Sequence, residues 1–426
     1  MTAHSRTLSL TAAHFATLLL LPTMAMAQPR AATRSASSSA DGGAFHAERL
    51  KRVDQWLQGI VDAKRAPGVV AMIVRDGKVE YHKAFGVRNI TGTTPMRTDD
   101  IFRIASQTKA ITSLAVMMLW EEGKFGLDDP IGRYIPSFAR QTVLTKFNQA
   151  DSTFEAKPAQ RRITIRQLLT HTSGLDYADI GSDEFTAIYA KAGLTALGSN
   201  GNVLATDIDK LGKLPLLHEP GERFTYSLGV DVLGRLVEVA SGMPLDQFFR
   251  TRIFEPLKMP DTWFELPAEK RSRLVTLHSD SAGKLKPANG SIGNLSADYP
   301  ARPVTYFSGG GGLSSTTADY ARFLQLFLNG GELDGVRLLG RKTVELMLTN
   351  QLGSIDGTFG LGFALETPEN DHRSVVSEGT FSWSGAFKTY YWADPKERLI
   401  GVIYTNMTGG APIDGPFKTF VYQALK

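Results

Sequence analysis

The sequence predicts an α+β protein: an antiparallel β-sheet flanked by helices, with a mostly helical subdomain inserted between the segments that form the sheet. Three observations predict it. Apolar runs of strand length joined by turn residues occur near both ends, a helical period precedes the first pair and follows the last, and the long middle reads mostly as helices and polar loops. In chain order, Leu50, Val53, Leu57 and Ile60 share one helical face, which Pro67-Gly68 terminates. The run Val69 to Val74 then meets Asp76-Gly77 and a second run, Val79 to Val87. That is a strong hairpin signal, because Asp and Gly accept the positive φ that a two-residue turn needs. From roughly Gly126 to Pro303, helical stretches such as Ile163 to Thr170 and Val230 to Ala240 alternate with loops. Phe381 to Trp392 and Leu399 to Tyr404 flank the turn Asp394-Pro395-Lys396-Glu397 as another hairpin, before a closing helix through Phe417, Phe420 and Leu425. One sheet built from both ends follows. The domain is expected over 46–426, with its sheet part at 46–125 and 304–426 and its helical insert at 126–303.

Composition narrows the function. Of 426 residues, 42% are hydrophobic and 21% charged, a balance suited to a folded chain rather than a disordered one. A net charge of +4 without basic clustering gives no footing for nucleic acid or an anionic membrane. The absence of Cys excludes disulfides, a thiolate nucleophile, Cys-ligated zinc and a lipid-modified N-terminal Cys. Arg6, an apolar run from Phe15 to Leu21, and Ala25-Met26-Ala27 before Gln28 read as a secretory signal over residues 1–27, cleaved after Ala27. His14, Thr17 and Pro22 break that run, which falls short of the about 20 apolar residues of a membrane span. The mature chain, with no later span, is expected in the periplasm or outside the cell. Residues 28–45, rich in Ser and Gly, read as a flexible linker.

The chemistry starts at Ser106-Gln107-Thr108-Lys109. Ile111, Leu114, Met118 and Leu119 continue a helical apolar face, so Ser106 falls at or near a helix N-terminus, and the i, i+3 spacing stacks the Lys109 amine over the Ser106 hydroxyl. A serine becomes a useful nucleophile when a base takes its proton, and a desolvated lysine can be that base. The tetrapeptide alone is equally a common helix start, with the serine as N-cap and the lysine as a surface charge.

The surrounding residues decide between these. The run from Phe102 through Ser106 and Lys109 to Thr112, followed by Gly126-Leu127-Asp128-Asp129-Pro130-Ile131, resembles the serine β-lactamase superfamily. The likeness is to its class C-like branch, with penicillin-binding D,D-peptidases and family VIII carboxylesterases. Ile163 to Leu175, containing His171-Thr172-Ser173-Gly174, and Ser308-Gly309-Gly310-Gly311-Gly312-Leu313 running into Asp319-Tyr320-Ala321-Arg322-Phe323 carry the same likeness in the same order. The resemblance spans about residues 50–425. It implies a β-lactamase/transpeptidase-like fold, Ser106 as nucleophile with Lys109, and Tyr226 of Tyr226-Ser227-Leu228 as the proton-transferring phenol. Leu228 stands where the family has an amide-binding Asn. For the family's Lys-Thr-Gly strand this chain has Trp383-Ser384-Gly385, so an aromatic wall replaces a carboxylate-binding cation, and the resemblance places the oxyanion hole at the amides of Ser106 and Ala386. Leu228, Trp383, Ser384 and Gly385 are the expected substrate contacts.

These residues imply a secreted, cofactor-free serine hydrolase cleaving small carboxylic esters through an acyl-enzyme. Turnover of β-lactams or D-Ala peptides is the alternative, and a non-catalytic peptidoglycan-binding scaffold is the alternative of another class. No metal is expected, since the eight His include no H-E-x-x-H. Gly309 to Gly312 lack the Lys-Ser/Thr of a phosphate loop and read as a tight turn. His171 reads as structural and hydrogen-bonded. No Ser has Gly at both −2 and +2, so the α/β-hydrolase elbow is absent.

Overall fold

The computed structural model describes residues 44–194, 201–281, 283–288, 291–292, 295–296 and 298–426. The expected signal segment and all of the expected linker except its last two residues lie outside the described residues. Phe45, assigned to the linker, is buried instead and bridged to Leu425.

Six antiparallel strands form the main sheet, in the spatial order Ala364–Leu365, Phe381–Gly385, Thr389–Asp394, Leu399–Tyr404, Gly68–Arg75, Lys78–Gly86. The first and last hairpins meet along Gly68–Arg75 and Leu399–Tyr404, in the register Val70 to Tyr404 through Arg75 to Leu399. Helices cover both faces, which is why Gly68–Arg75 and Leu399–Tyr404 are apolar without alternation. On one face Val53, Leu57 and Ile60 of helix Ala47–Asp62 and Phe417 and Val421 of helix Asp414–Tyr422 pack with Val69, Ala71, Ile73, Trp392 and Ile403. On the other, Val70, Met72, Tyr391, Val402 and Tyr404 join a larger core that includes Ile111 and Leu114 of helix Thr108–Glu121 and Phe323 and Leu324 of helix Thr317–Leu328.

One reading needs correction. Phe381 to Trp392 is two strands rather than one, folded back at residues 386–388, where Lys388 takes φ 57°. No Asn, Asp or Pro marks that reversal, so the turn is invisible in composition. The middle of the chain does hold helices, among them Ile165–Leu169, Asp183–Lys191, Leu204–Leu211 and Gly229–Ser241. Among the described residues it also holds three hairpins, Thr142–Asn148 with Thr153–Pro158, His278–Ser281 with Lys284–Pro287, and Ser291–Ile292 with Leu295–Ser296. The first is exposed along most of its length, so no buried face imposed a period of two on its sequence. Leu233 and Leu236 of Gly229–Ser241 share one core with Ile111 and Leu114, so the middle segment closes over the helix that follows Ser106. Among the described residues no helix is long and apolar enough to cross a membrane.

Gly401 sits opposite Trp392, and a Cβ built there would lie 2.1 Å from the indole ring. The strand pair therefore closes only around a residue without a side chain. Gly401→Val is expected to destabilise the fold by about 1–3 kcal/mol through overpacking, read as a lower urea midpoint at unchanged m-value.

Candidate active site

Ser106 lies in a single 3-10 turn, Ala105–Gln107, that feeds directly into helix Thr108–Glu121. The turn is held from three sides. Tyr320 and Tyr404 donate to the carbonyl and side-chain oxygens of Gln107 at 2.8 and 2.6 Å, and Thr108 Oγ1 donates to Ala105 O at 2.7 Å while accepting from Leu313 N at 3.1 Å. Ala105, just before the serine, has φ 43°, a left-handed conformation that costs a residue with a Cβ of order 1 kcal/mol. No side-chain capping bond forms at the start of this helix, so Ser106 is not spent as an N-cap.

One turn on, Lys109 is 2% exposed. Its Nζ lies 3.3 Å from Ser106 Oγ, 3.2 Å from Tyr177 Oη and 2.6 Å from Gly310 O. The Nζ also stands over the rings of Tyr226, 4.5 Å from its centroid, and Tyr177, 5.3 Å away. Tyr226 thus reaches Lys109 ring first. Its hydroxyl is buried and has no hydrogen-bond partner among the described residues. Tyr177 stacks on Tyr226 with ring centroids 5.4 Å apart. Burial pushes the Tyr177 phenol well above its ordinary range, and the neighbouring Tyr226, Asp231 and Asp179 add to the effect.

Asp231, in the first turn of helix Gly229–Ser241, brings a buried carboxylate to the same place. Its Oδ1 accepts from Ser308 Oγ at 2.7 Å, and its Oδ2 has no hydrogen-bond partner among the described residues. Burial raises its pKa, with Ser308 and the charge of Lys109 acting against that rise.

Around these groups stands an aromatic wall. Trp383 is half-buried on Phe381–Gly385 and packs on Tyr226 at 5.7 Å and Phe359 at 5.3 Å. Phe224 and Phe359 meet at 5.4 Å, and both meet His171, which also lies 4.7 Å from Tyr226. His171 Nδ1 accepts from Ser227 N at 3.2 Å, which leaves the ring proton on Nε2 in the neutral form. Burial, then the charge of Lys109, holds its pKa well below 6.5. Two residues beyond Trp383, Gly385 rests against the turn that carries Ser106, where an added Cβ would lie 2.2 Å from Ile104 O. Ser384 and Ala386 flank it, both exposed. Leu228 differs from the other expected contacts: it is 3% exposed, within the main core, and its N–H is bound to Asp176 O at 3.1 Å. It offers no open surface to a substrate.

With Ser106, Lys109, Tyr226, Trp383 and Gly385 gathered around one turn, the family comparison becomes decisive: residues 53–424 match the Beta-lactamase family model. The chain belongs to the beta-lactamase family. It is 34% identical to an uncharacterized protein of Mycobacterium tuberculosis over 361 residues, covering 81% of this chain and 86% of that one. It is 28% identical to esterase EstB of Burkholderia gladioli over 410 residues, covering 91% and 99%. Its fold superposes on that of EstCE1, described as a hydrolase with promiscuous acyltransferase activity, with a TM-score of 0.75 at 27% identity, covering 88% of this chain and 98% of that one. Together these make the chain a serine hydrolase of the beta-lactamase family with esterase relatives.

Within this beta-lactamase family member, sequence reasoning missed Tyr177, Asp231, Phe224 and Phe359. Asp231 had a signal, a lone acid inside the apolar run Gly229-Val230-Asp231-Val232-Leu233, where a carboxylate needs a partner to be buried. Phe359 had none, because only the fold brings its loop to the site. His171 is the group whose titration is simplest to follow. Its folded-state pKa lies below the unfolded value, so the neutral ring contributes stability that is complete above about pH 6.5 and is lost as pH falls below it. His171→Asn, which tolerates the φ of 55° found there, is expected to flatten the pH dependence of stability between pH 7 and 5. The slope removed is bounded by one proton, about 1.4 kcal/mol per pH unit, in urea titrations.

Proposed function

We propose that the chain is a secreted esterase that cleaves carboxylic esters through an acyl-enzyme on Ser106. The observation that carries this reading is the set of partners around Lys109 Nζ. Two Nζ–H groups of Lys109 are directed to Gly310 O and Tyr177 Oη, and the third position of the nitrogen faces Ser106 Oγ at 3.3 Å, where loss of its proton would leave a lone pair to act as base. In the first half-reaction the Ser106 proton passes to Lys109, the Oγ–C bond forms, and the ester carbonyl becomes an oxyanion. The amides of Ser106 and Ala386 are its proposed donors. The C–O bond to the alcohol then breaks as the proton on Lys109 returns to the departing oxygen, with the Tyr226 hydroxyl, which has no hydrogen-bond partner among the described residues, as the proposed relay. Water reverses the sequence and releases the acid.

The wall favours esters over penicillins and D-Ala peptides. Trp383 and Phe224 give apolar contact, with Phe359 buried behind them, and a carboxylate desolvated against these rings without a partner would lose several kcal/mol. The likeness to esterase EstB supports the same choice. Secretion rests on the signal-like residues 1–27.

A fluorophosphonate probe is expected to label Ser106 and no other residue, and Ser106→Ala to abolish both labelling and ester turnover. Lys109→Ala should lower kcat about 10²- to 10⁴-fold, the usual worth of a positioned base. In a kcat/KM panel of p-nitrophenyl esters, nitrocefin and a D-Ala-D-Ala peptide, an ester should lead. A tenfold lead for the β-lactam or the peptide overturns the ester reading.

A further inference from the structure

The segment that carries Tyr177 into the site continues into a short, tightly folded loop. Asp176 Oδ1 accepts from Tyr177 N at 2.8 Å, and its Oδ2 accepts from Ser182 N at 3.0 Å and Ser182 Oγ at 2.9 Å. The buried Asp176 therefore pins both ends of residues 177–182. Gly181 is packed so closely against this arrangement that a Cβ there would lie 2.5 Å from Tyr177 O and 2.6 Å from Asp176 Oδ1. Held in this loop, two residues beyond Tyr177, is Asp179, which is exposed together with Ile180.

Tyr177 Oη touches Lys109 and its ring stacks on Tyr226, so Asp179 stands at the outer end of the segment that lines the site. Partial burial raises the pKa of its carboxyl, with the charge of Lys109 acting against that rise, and its own charge adds to the rise at Tyr177. The charges deeper in are spent. Lys109 is buried on Gly310 O, His171 is neutral, and Asp231 is buried beside Ser308. The remaining partly exposed groups of the wall, Trp383, Phe224 and Tyr226, are uncharged rings whose faces attract cations.

We propose that Asp179 is a specificity-determining residue that disfavours substrates carrying a carboxylate and favours esters carrying an ammonium group. The inference rests on the proposed reaction at Ser106 and names the charge class of its substrates. An anionic acyl group would approach an exposed carboxylate with no accessible cation in the aromatic wall to offset it. A quaternary or primary ammonium would meet that carboxylate and the ring faces together.

The test compares three p-nitrophenyl esters of similar acyl length, the butyrate, the hemiglutarate and the 4-trimethylammoniobutanoate, on the full chain and on Asp179→Asn and Asp179→Lys. In wild type the order of kcat/KM should be cationic, then neutral, then anionic. The anionic-to-neutral ratio should rise about threefold in Asp179→Asn and further in Asp179→Lys, the size expected of an exposed charge. The neutral ester should change by less than about twofold, and the differences should shrink in 0.5 M salt, where the Debye length falls to roughly 4 Å. Equal ratios in all three proteins overturn the proposal. Rates of Ser106 labelling by neutral, anionic and cationic fluorophosphonates report the same charge order without ester turnover. Failure of all esters with a preserved labelling order would therefore overturn the ester reading alone.

Discussion

The buried Lys109 amine is the constraint to which the rest of the structure answers. A lysine at 2% exposure has lost its water, and its polar end must be met by fixed protein groups. Those groups come from four separate stretches of chain. Ser106 precedes the lysine on the same turn, Gly310 O arrives from the glycine loop, Tyr177 from the loop after His171-Thr172-Ser173-Gly174, and Tyr226 from the segment before Gly229–Ser241. The middle segment has a clear physical role in this light. It brings the two tyrosines and Asp231 over a helix that the sheet holds in place, and the shared core of Ile111, Leu114, Leu233 and Leu236 fixes their approach.

The sheet supplies rigidity at the point of strain. Ala105 keeps its left-handed conformation because its neighbours on both sides are tied down: Ile104 lies against Gly385 and accepts from Thr389 Oγ1 at 3.3 Å, and Gln107 is held by Tyr320 and Tyr404. Tyr404 lies on a strand paired to Gly68–Arg75 and Thr389 on the strand next to it. The two ends of the chain must therefore be joined before the serine turn can be held. A serine on such a turn cannot relax into ordinary helix without breaking those bonds, which is how a fold keeps a geometry that local preference opposes.

What was legible in the sequence follows from the same physics. The hairpins at both ends were readable from Asp76-Gly77 and Asp394-Pro395, because turn residues act locally. Ser106, Lys109, Tyr226, Trp383 and Gly385 stand in motifs that resemble a known family, and the fold gathers them around one turn. The reversal at 386–388 was hidden because Lys388 adopts a positive φ under the pull of strand pairing rather than by its own preference. Leu228 was read as a site residue from its place in a motif, yet an apolar side chain at the start of a helix packed on the core turns inward. Phe224 and Phe359 escaped because their role is purely one of packing, and nothing local distinguishes an active-site phenylalanine from any other core ring.

The glycine loop shows how a motif can be read correctly in outline and incompletely in cause. A tight turn leading to helix Thr317–Leu328 is what Ser308 to Leu313 makes, but turn geometry alone does not demand this many glycines. A Cβ on Gly309 would lie 2.8 Å from Val230 O, and one on Gly312 would lie 2.9 Å from Phe264 Cδ1 and Ser308 O. At Gly310 it would lie 2.4 Å from Asp231 Oδ2 and 3.6 Å from Lys109 Nζ. Each position is bare because a different element presses on it. At Gly310 that element is the carboxylate beside the lysine, so a methyl group there would push the carbonyl that binds Lys109 away from it. The loop is therefore part of the lysine's binding site, and its glycines are the reason a carbonyl, a carboxylate and an amine can share one small buried space.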